Sequence, residues 1–301
     1  DNPITYNAST KDGKDETQFL IAGNVEKLGD LTKISLNPEG LKLNYDNWLV
    51  APDNFIQIGY RVILANNFTI SNNGSEIQVQ SESAVPNSPL NISIKDFKIE
   101  TITELIKKDS LLAKGTINGT AQLRDLKNNM TFTSDLDVTD LFVYGSPVGK
   151  LDVKVNNETA QLIRADIALS GNNNDLKLLG TYNTKSSALN MNLDMNQLQM
   201  QTVQGLSMNA IESAEGYVSG NLKIAGTAKD PSILGSVKFN EVGMGVTQLG
   251  SKFKNINDEI RFTSRGMDFN DFKIKDESGN VIVIDGSVLT KTYRDFAFNL
   301  D

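Results

Sequence analysis

The stretch Ala214-Glu215-Gly216-Tyr217-Val218-Ser219-Gly220-Asn221-Leu222-Lys223-Ile224, followed by Gly226-Thr227, Asp230-Pro231 and Gly235, decides how this chain is read. Val218, Leu222 and Ile224 fall on one parity, and Tyr217, Ser219, Asn221 and Lys223 on the other. That is the period of two expected of a strand with one apolar face. Gly226 to Gly235, with Pro231 behind Asp230, reads as the connection that returns the chain as a second strand, Ser236 to Glu241. The expected unit is a β-hairpin with one greasy side.

The same arrangement occurs 101 residues earlier, the distance from Gly115 to Gly216. At that offset Gly119 meets Gly220, Leu123 meets Ile224, Leu136 meets Val237, Val138 meets Phe239, and Leu141 meets Val242. Upstream, Phe97 pairs with Leu198, Ile99 with Met200, Ile102 with Val203 and Leu105 with Leu206. A period this long holds several strands and a short helix per unit. The sequence predicts one continuous repetitive body over 1–301, with sub-repeats 1–91, 92–192 and 193–301.

Working outward, Phe19 and Ile21, Ile34 and Leu36, a Pro38-Glu39-Gly40 turn, and Leu41 and Leu43 are strand-like. Trp48 to Pro52 reads as a corner. Ile56, Ile58, Tyr60, Val62 and Leu64 share one parity and predict a single long strand with Arg61 on its other side. Phe68 and Ile70, then Asn73-Gly74, then Ile77 and Val79 form the clearest hairpin, because Asn-Gly supplies the positive φ values of a type I′ turn. Apolar parity switches between Ile94 and Phe97, and again between Met195 and Leu198, which predicts a bulge or bend at both places. Ile102, Leu105 and Ile106, like Val203, Leu206 and Ala210, have helical spacing and predict short helices that cap an apolar layer. Ile117, Ala121 and Leu123, then Phe132, Leu136 and Val138, then Leu193, Ile260, Phe262, Ile282 and Ile284 continue the alternation. The expected fold is all-β, an elongated and curved, mainly antiparallel sheet of about 18 to 20 strands with one or two short helices. Strands buried on both faces, as in parallel α/β sheets, are excluded by this alternation.

Composition limits the chemistry. The hydrophobic fraction is 39% with a single Trp, which suits thin β layers better than a thick core. A net charge of -8 argues against nucleic acid, whose binding needs a basic stripe. The chain has no His and no Cys, so the usual general base and the commonest metal ligand are missing, and no disulfide framework is possible. Asp135 with Asp137 and Asp268 with Asp271 are the candidate acids, and both pairs read as solvated carboxylates. Gly216 and Gly220 lack the Lys-Ser or Lys-Thr of a phosphate loop. Asn257-Asp258-Glu259 lacks the alternation of a calcium loop. The chain reads as a non-enzyme without cofactor or metal. It begins at Asp1 and ends inside the alternating run Phe296, Phe298 and Leu300, so the expectation is a fragment whose targeting information lies elsewhere.

Two readings of the apolar face remain: a sandwich filled by the protein's own side chains, or an open trough whose aliphatic wall suits acyl chains. At this point the residues resemble a known family. The Ala214–Ile224 run, Gly226-Thr227, Asp230-Pro231, Gly235-Ser236-Val237 and Asn255-Ile256-Asn257-Asp258-Glu259-Ile260 resemble the translocation and assembly module (TamB) family of the wider AsmA-like group. The copy that begins at Ile92 is looser, with Asp125-Leu126 in place of Asp-Pro. The resemblance implies a β-taco, or repeating β-groove, with an apolar concave face. It implies an inner-membrane-anchored protein that crosses the periplasm of a diderm bacterium to an outer-membrane barrel of the TamA or BamA type. Such a protein would carry phospholipid between the membranes and assist outer-membrane protein assembly. The groove positions it implies are Ile117, Leu123, Phe132, Leu136, Val138, Val218, Leu222, Ile224, Val237 and Phe239. The alternatives are a chaperone scaffold that adds strands to barrel proteins, or an extracellular adhesin stalk.

Overall fold

The computed structural model describes residues 3–60, 62–106, 112–127 and 129–301. The fold is all-β: the described residues form 22 strands and two short helices, with antiparallel strand pairing. Contacts divide the chain into two units, Asp1–Thr139 with Lys154–Ala160, and Asp140–Val153 with Gln161–Asp301.

Unit 1 holds β1 (Ile4–Lys11), β2 (Thr17–Leu28), β3 (Leu31–Leu43), β4 (Asp46–Val50), β5 (Phe55–Gly59), β6 (Val62–Asn66), β7 (Phe68–Asn72), β8 (Ser75–Ser81) and β9 (Leu90–Lys98). The helix α1 (Glu100–Ile106) and β10 (Ala113–Arg124) follow, and the division then passes through β11 (Thr131–Val143) and β12 (Ser146–Thr159). β3 forks: Thr32–Ile34 pair with β5, while Leu41–Leu43 pair with β4. The buried Asn54 side chain holds the fork. It accepts from Leu36 N–H at 2.9 Å and donates to the carbonyls of Leu36 and Ala51, each at 2.8 Å. Trp48, Phe97, Leu36, Leu41 and Val50 form the core of this unit.

Three local expectations change here. The long strand from Ile56 to Leu64 is a hairpin, β5 turning into β6, with Ile58 opposite Ile63 and Gly59 opposite Val62. Turning after Gly59 leaves Tyr60 83% exposed; Arg61 lies outside the described residues. Pro38-Glu39-Gly40 is a bulge inside β3, because Ile21 pairs with Leu41 and Gly23 with Leu36, so the chain swells without reversing. Trp48 sits within β4 and not at a corner, and the chain turns only after Val50. The Asn73-Gly74 hairpin is as expected, with Asn72 opposite Ser75 and φ values of 46° and 89° at the two turn residues.

Unit 2 contains β13 (Leu162–Gly171), β14 (Asn174–Asn183), β15 (Ala188–Gln199), the helix α2 (Met200–Leu206), β16 (Ile211–Thr227) and β17 (Pro231–Val246). It continues with β18 (Ser251–Ile256), β19 (Glu259–Thr263), β20 (Gly266–Asp276), β21 (Val281–Leu289) and β22 (Ala297–Leu300). The hairpin that organises the sequence is longer than its pattern suggests. β16 and β17 stay paired out to Gly226 opposite Pro231, so only 228–230 connect them. Proline is tolerated there because it opens the strand. α2 ends at Leu206 and excludes Ala210, since Ser207 caps it: its hydroxyl donates to Gln204 O at 2.7 Å and accepts from Ile211 N–H at 3.1 Å. In α1 the side chains of Leu105 and Ile106 are outside the described residues.

The predicted bulges lie where parity switches. Between Ile94 and Phe97 two residues of β9 face one of β10, and between Met195 and Leu198 two residues of β15 face one of β16. Further bulges occur at Glu241-Val242 opposite Gly216 and at Asn270-Asp271 opposite Asp285. Asp96, Glu241 and Asp271 adopt φ of 47°, 51° and 52°. Each donates its N–H to a neighbouring side-chain oxygen: Asn118 at 2.8 Å, Asn257 at 2.8 Å and Asp285 at 2.7 Å.

The repeat is also visible in glycine packing. A Cβ on Gly119 would stand 2.2 Å from Asp135 O, and one on Gly220 would stand 2.1 Å from Ser236 O, the equivalent atom 101 residues on. Both glycines carry positive φ, 138° and 147°. Gly119→Val and Gly220→Val should therefore each cost roughly 3 kcal/mol or more of stability in urea titrations. Gly13→Ala, with open space around it, should stay within about 0.5 kcal/mol of the parent protein.

Candidate apolar binding face

In an antiparallel pair, directly opposed residues project to the same side of the sheet. Following the register across unit 2 gives one row through nine strands: Ile167, Leu178, Leu193, Leu222, Gly235, Phe262, Met267, Val288 and Phe298. A second row on the same face runs Leu169, Leu176, Met195, Gly220, Val237 and Ile260. A third runs Ala165, Gly180, Met191, Ile224 and Ile233. No charged residue interrupts these rows. The opposite face carries Ala168, Lys177, Asp194, Asn221, Ser236, Arg261, Asp268, Ser287 and Asn299 across the same strands.

Unit 1 repeats the pattern. Val50, Ile70, Ile77, Ile94 and Gly119 form one row, and Phe68, Val79, Ile92 and Ala121 the next. Gly119 lies against Leu136, so β11 extends this face with Phe132, Leu136 and Val138. Ile117 opposite Phe97 and Leu123 opposite Leu90 complete it along β10.

Burial along this face is uneven. At one end of the unit 2 rows a packed cluster of Met200, Ala214, Val218, Val242, Ile256 and Phe272 forms under α2, with Phe239, Ile260 and Ile284 against it. Phe272 meets Phe239 and Phe269 edge-on, with centroids 5.7 Å and 5.5 Å apart. Asn174 seats the helix: it donates to Thr202 Oγ1 and to Val148 O, both at 2.8 Å, and accepts from Gln199 N–H at 2.8 Å. Away from that cluster Leu193, Leu222, Ile224 and Phe262 are only half-buried, as are Ile117, Leu123, Phe132, Leu136 and Val138 in unit 1, while the half-buried Val237 packs against the cluster. Ile282 is 49% exposed. Of the predicted groove residues, Val218 alone is fully buried. Sequence reasoning missed Val288 as a member of the central row, although alternation within β21 carries the signal.

Three of the four candidate acids have polar partners. Asp135 pairs with Lys154 at 3.3 Å, Asp268 accepts from Ser287 Oγ at 2.7 Å, and Asp271 pairs with Lys273 at 2.6 Å. The hydrogen bond it donates to the Asp271 carboxylate holds the Lys273 ammonium above its usual range. Asn280, through its side chain and then its backbone, holds Asp276 below the usual carboxylate range. Among the described residues no three His, Cys, Asp or Glu side chains converge as a metal site, and no helix is long and apolar enough to cross a membrane.

The uneven burial predicts an uneven response to truncation. Ile256→Ala, at a site 1% exposed, should cost about 2–5 kcal/mol in chemical denaturation. Leu222→Ala should cost under about 1 kcal/mol, and equal losses at the two sites would mean that the row is packed as tightly as the cluster. No protein-family model, curated protein or solved structure matches the chain.

Proposed function

We propose that this chain is a TamB-like section of a hydrophobic conduit. In this reading it lies in the periplasm of a diderm bacterium and passes phospholipid acyl chains between the inner and outer membranes in support of outer-membrane protein assembly. The observation that carries the reading is the uncharged, apolar row from Ile167 to Phe298, half-buried along most of its length. Water against such a row is unfavourable by about 25 cal/mol for each Å² of apolar surface, so an acyl chain is a better neighbour. Transfer from a bilayer interior to this row exchanges one hydrocarbon surrounding for another and is close to neutral, which suits passage better than storage. The full-length partner implied by this reading is an outer-membrane barrel of the TamA or BamA type.

Native mass spectrometry of the purified protein should find co-purified phospholipid, and a photo-crosslinking residue at Leu222 should label it. Leu222→Asp should reduce that lipid by an order of magnitude while far-UV circular dichroism is retained. Undiminished crosslinking at neighbouring row positions in this variant would overturn the conduit reading. If proline substitutions in an edge strand abolished binding of unfolded barrel protein while lipid uptake was absent, strand addition would be the activity instead.

A further inference from the structure

The two ends of the unit 2 strands differ in charge. At one end lie the connections 184–187, 228–230, 264–265 and 290–296, which carry Lys185, Lys229, Arg265, Lys291 and Arg294 against Asp230 and Asp295. At the other end the connections 172–173, 200–210, 247–250 and 277–280 contain no cation and one carboxylate, Glu277. Among the described residues none of those five cations takes part in a salt bridge, although Lys150, Lys154, Lys177, Lys252, Arg261 and Lys273 all do. The corresponding unit 1 connections, 82–89 and 125–130, carry Glu82, Asp125 and Lys127 and have no positive excess.

The basic end also holds a cleft of about 620 Å³, in the range of small-ligand sites. It is walled by Leu289, Phe296 and Ala297, with Arg265 and Lys291 beside them and Asp295 at its border. Thr290 fixes its shape, donating its N–H to Arg265 O at 2.8 Å and accepting from Tyr293 N–H at 2.9 Å. An apolar wall beside two unpaired cations is complementary to an amphiphile with an anionic head.

We infer that this cleft recognises the phosphate-bearing head of an anionic phospholipid, with Arg265 and Lys291 as the selecting residues. The inference rests on the conduit reading above and adds head-group selection to it. The apolar rows contain no polar group able to distinguish one head from another, so discrimination falls to the ends of the strands. Each cation near an anionic head contributes about 1 kcal/mol, and loss of one such contribution alters a binding ratio about fivefold.

The test uses the whole chain equilibrated with vesicles of equal parts phosphatidylglycerol and phosphatidylethanolamine, with bound lipid read by native mass spectrometry. The parent protein, with two such cations, should enrich phosphatidylglycerol roughly 30-fold over the vesicle ratio. Arg265→Glu with Lys291→Glu should return the bound ratio to that of the vesicle while total bound lipid is unchanged. Arg265→Gln with Lys291→Gln, which adds no repulsion, should do the same and guards against misfolding of the reversed pair. Lipid bound without preference, or a preference retained in both variants, overturns head-group selection and leaves the conduit standing. Inorganic phosphate should compete with the head and lower the preference, and a preference that it leaves untouched overturns recognition of the phosphate. Absence of any bound lipid removes the conduit reading, and this inference with it.

Discussion

Every strand of this protein depends on one constraint: side chains alternate with a period of two, so a register error of a single residue would carry an entire aliphatic set to the wrong side. Register therefore has to be corrected wherever the apolar parity of the sequence slips. The bulges make that correction at Asp96, Glu241 and Asp271, and each leaves a backbone N–H without a ladder partner. Asn118, Asn257 and Asp285 accept those three N–H groups. An unsatisfied N–H would cost about 1–3 kcal/mol if it were shut away from water, so side chains of the polar face help to keep the apolar face in step. Faces usually described as independent are coupled here through the backbone.

Stability is concentrated where that apolar face is covered. The cluster beneath α2 and the Trp48–Phe97 cluster in unit 1 exclude water, and each is built around a strand that carries a bulge. Outside the cluster, each unit's strands contribute paired backbone and only partly covered aliphatic groups. α2 has seven residues and is too short to be stable alone. It persists because Met200 and Thr202 are buried and because Asn174 ties it to two segments of β-sheet.

Much of the fold could be read from the sequence because strand alternation is a local property. The hairpin at Asn73-Gly74, the parity switches at Phe97 and Leu198 and the one-faced character of β16 each depend on a few adjacent residues. What escaped were features set by partners. The run Ile56 to Leu64 keeps a single parity in sequence, yet Val62 opposite Gly59 and Leu64 opposite Gln57 lie on the other side of the sheet from Ile56 and Ile58, and only the register shows the fold-back. Pro38-Glu39-Gly40 has turn composition, yet the straight course of β2 opposite it makes the segment a bulge. The rows were legible strand by strand, but their continuity was not, since it requires the register of eight successive pairings. The position of unpaired cations at one end of those rows is likewise invisible until the strand directions are known.

The repeat separates what geometry demands from what loops are free to vary. Gly119 and Gly220 sit against equivalent carbonyls in the two copies, because any larger residue would break the close approach of neighbouring strands. Asp140 and Glu241 occupy equivalent positions with positive φ, 50° and 51°. The connections differ: 125–130 contains Asp125 and Lys127, whereas 228–230 contains Lys229 and Asp230 ahead of Pro231. An aliphatic row interacts with hydrocarbon through area and has little means of telling one amphiphile from another. Charge on the connections acts over about a Debye length, near 8 Å at physiological ionic strength, and so reaches the ends of the strands without entering the rows. A single backbone unit used twice can in this way keep one apolar surface while each copy acquires its own electrostatic border.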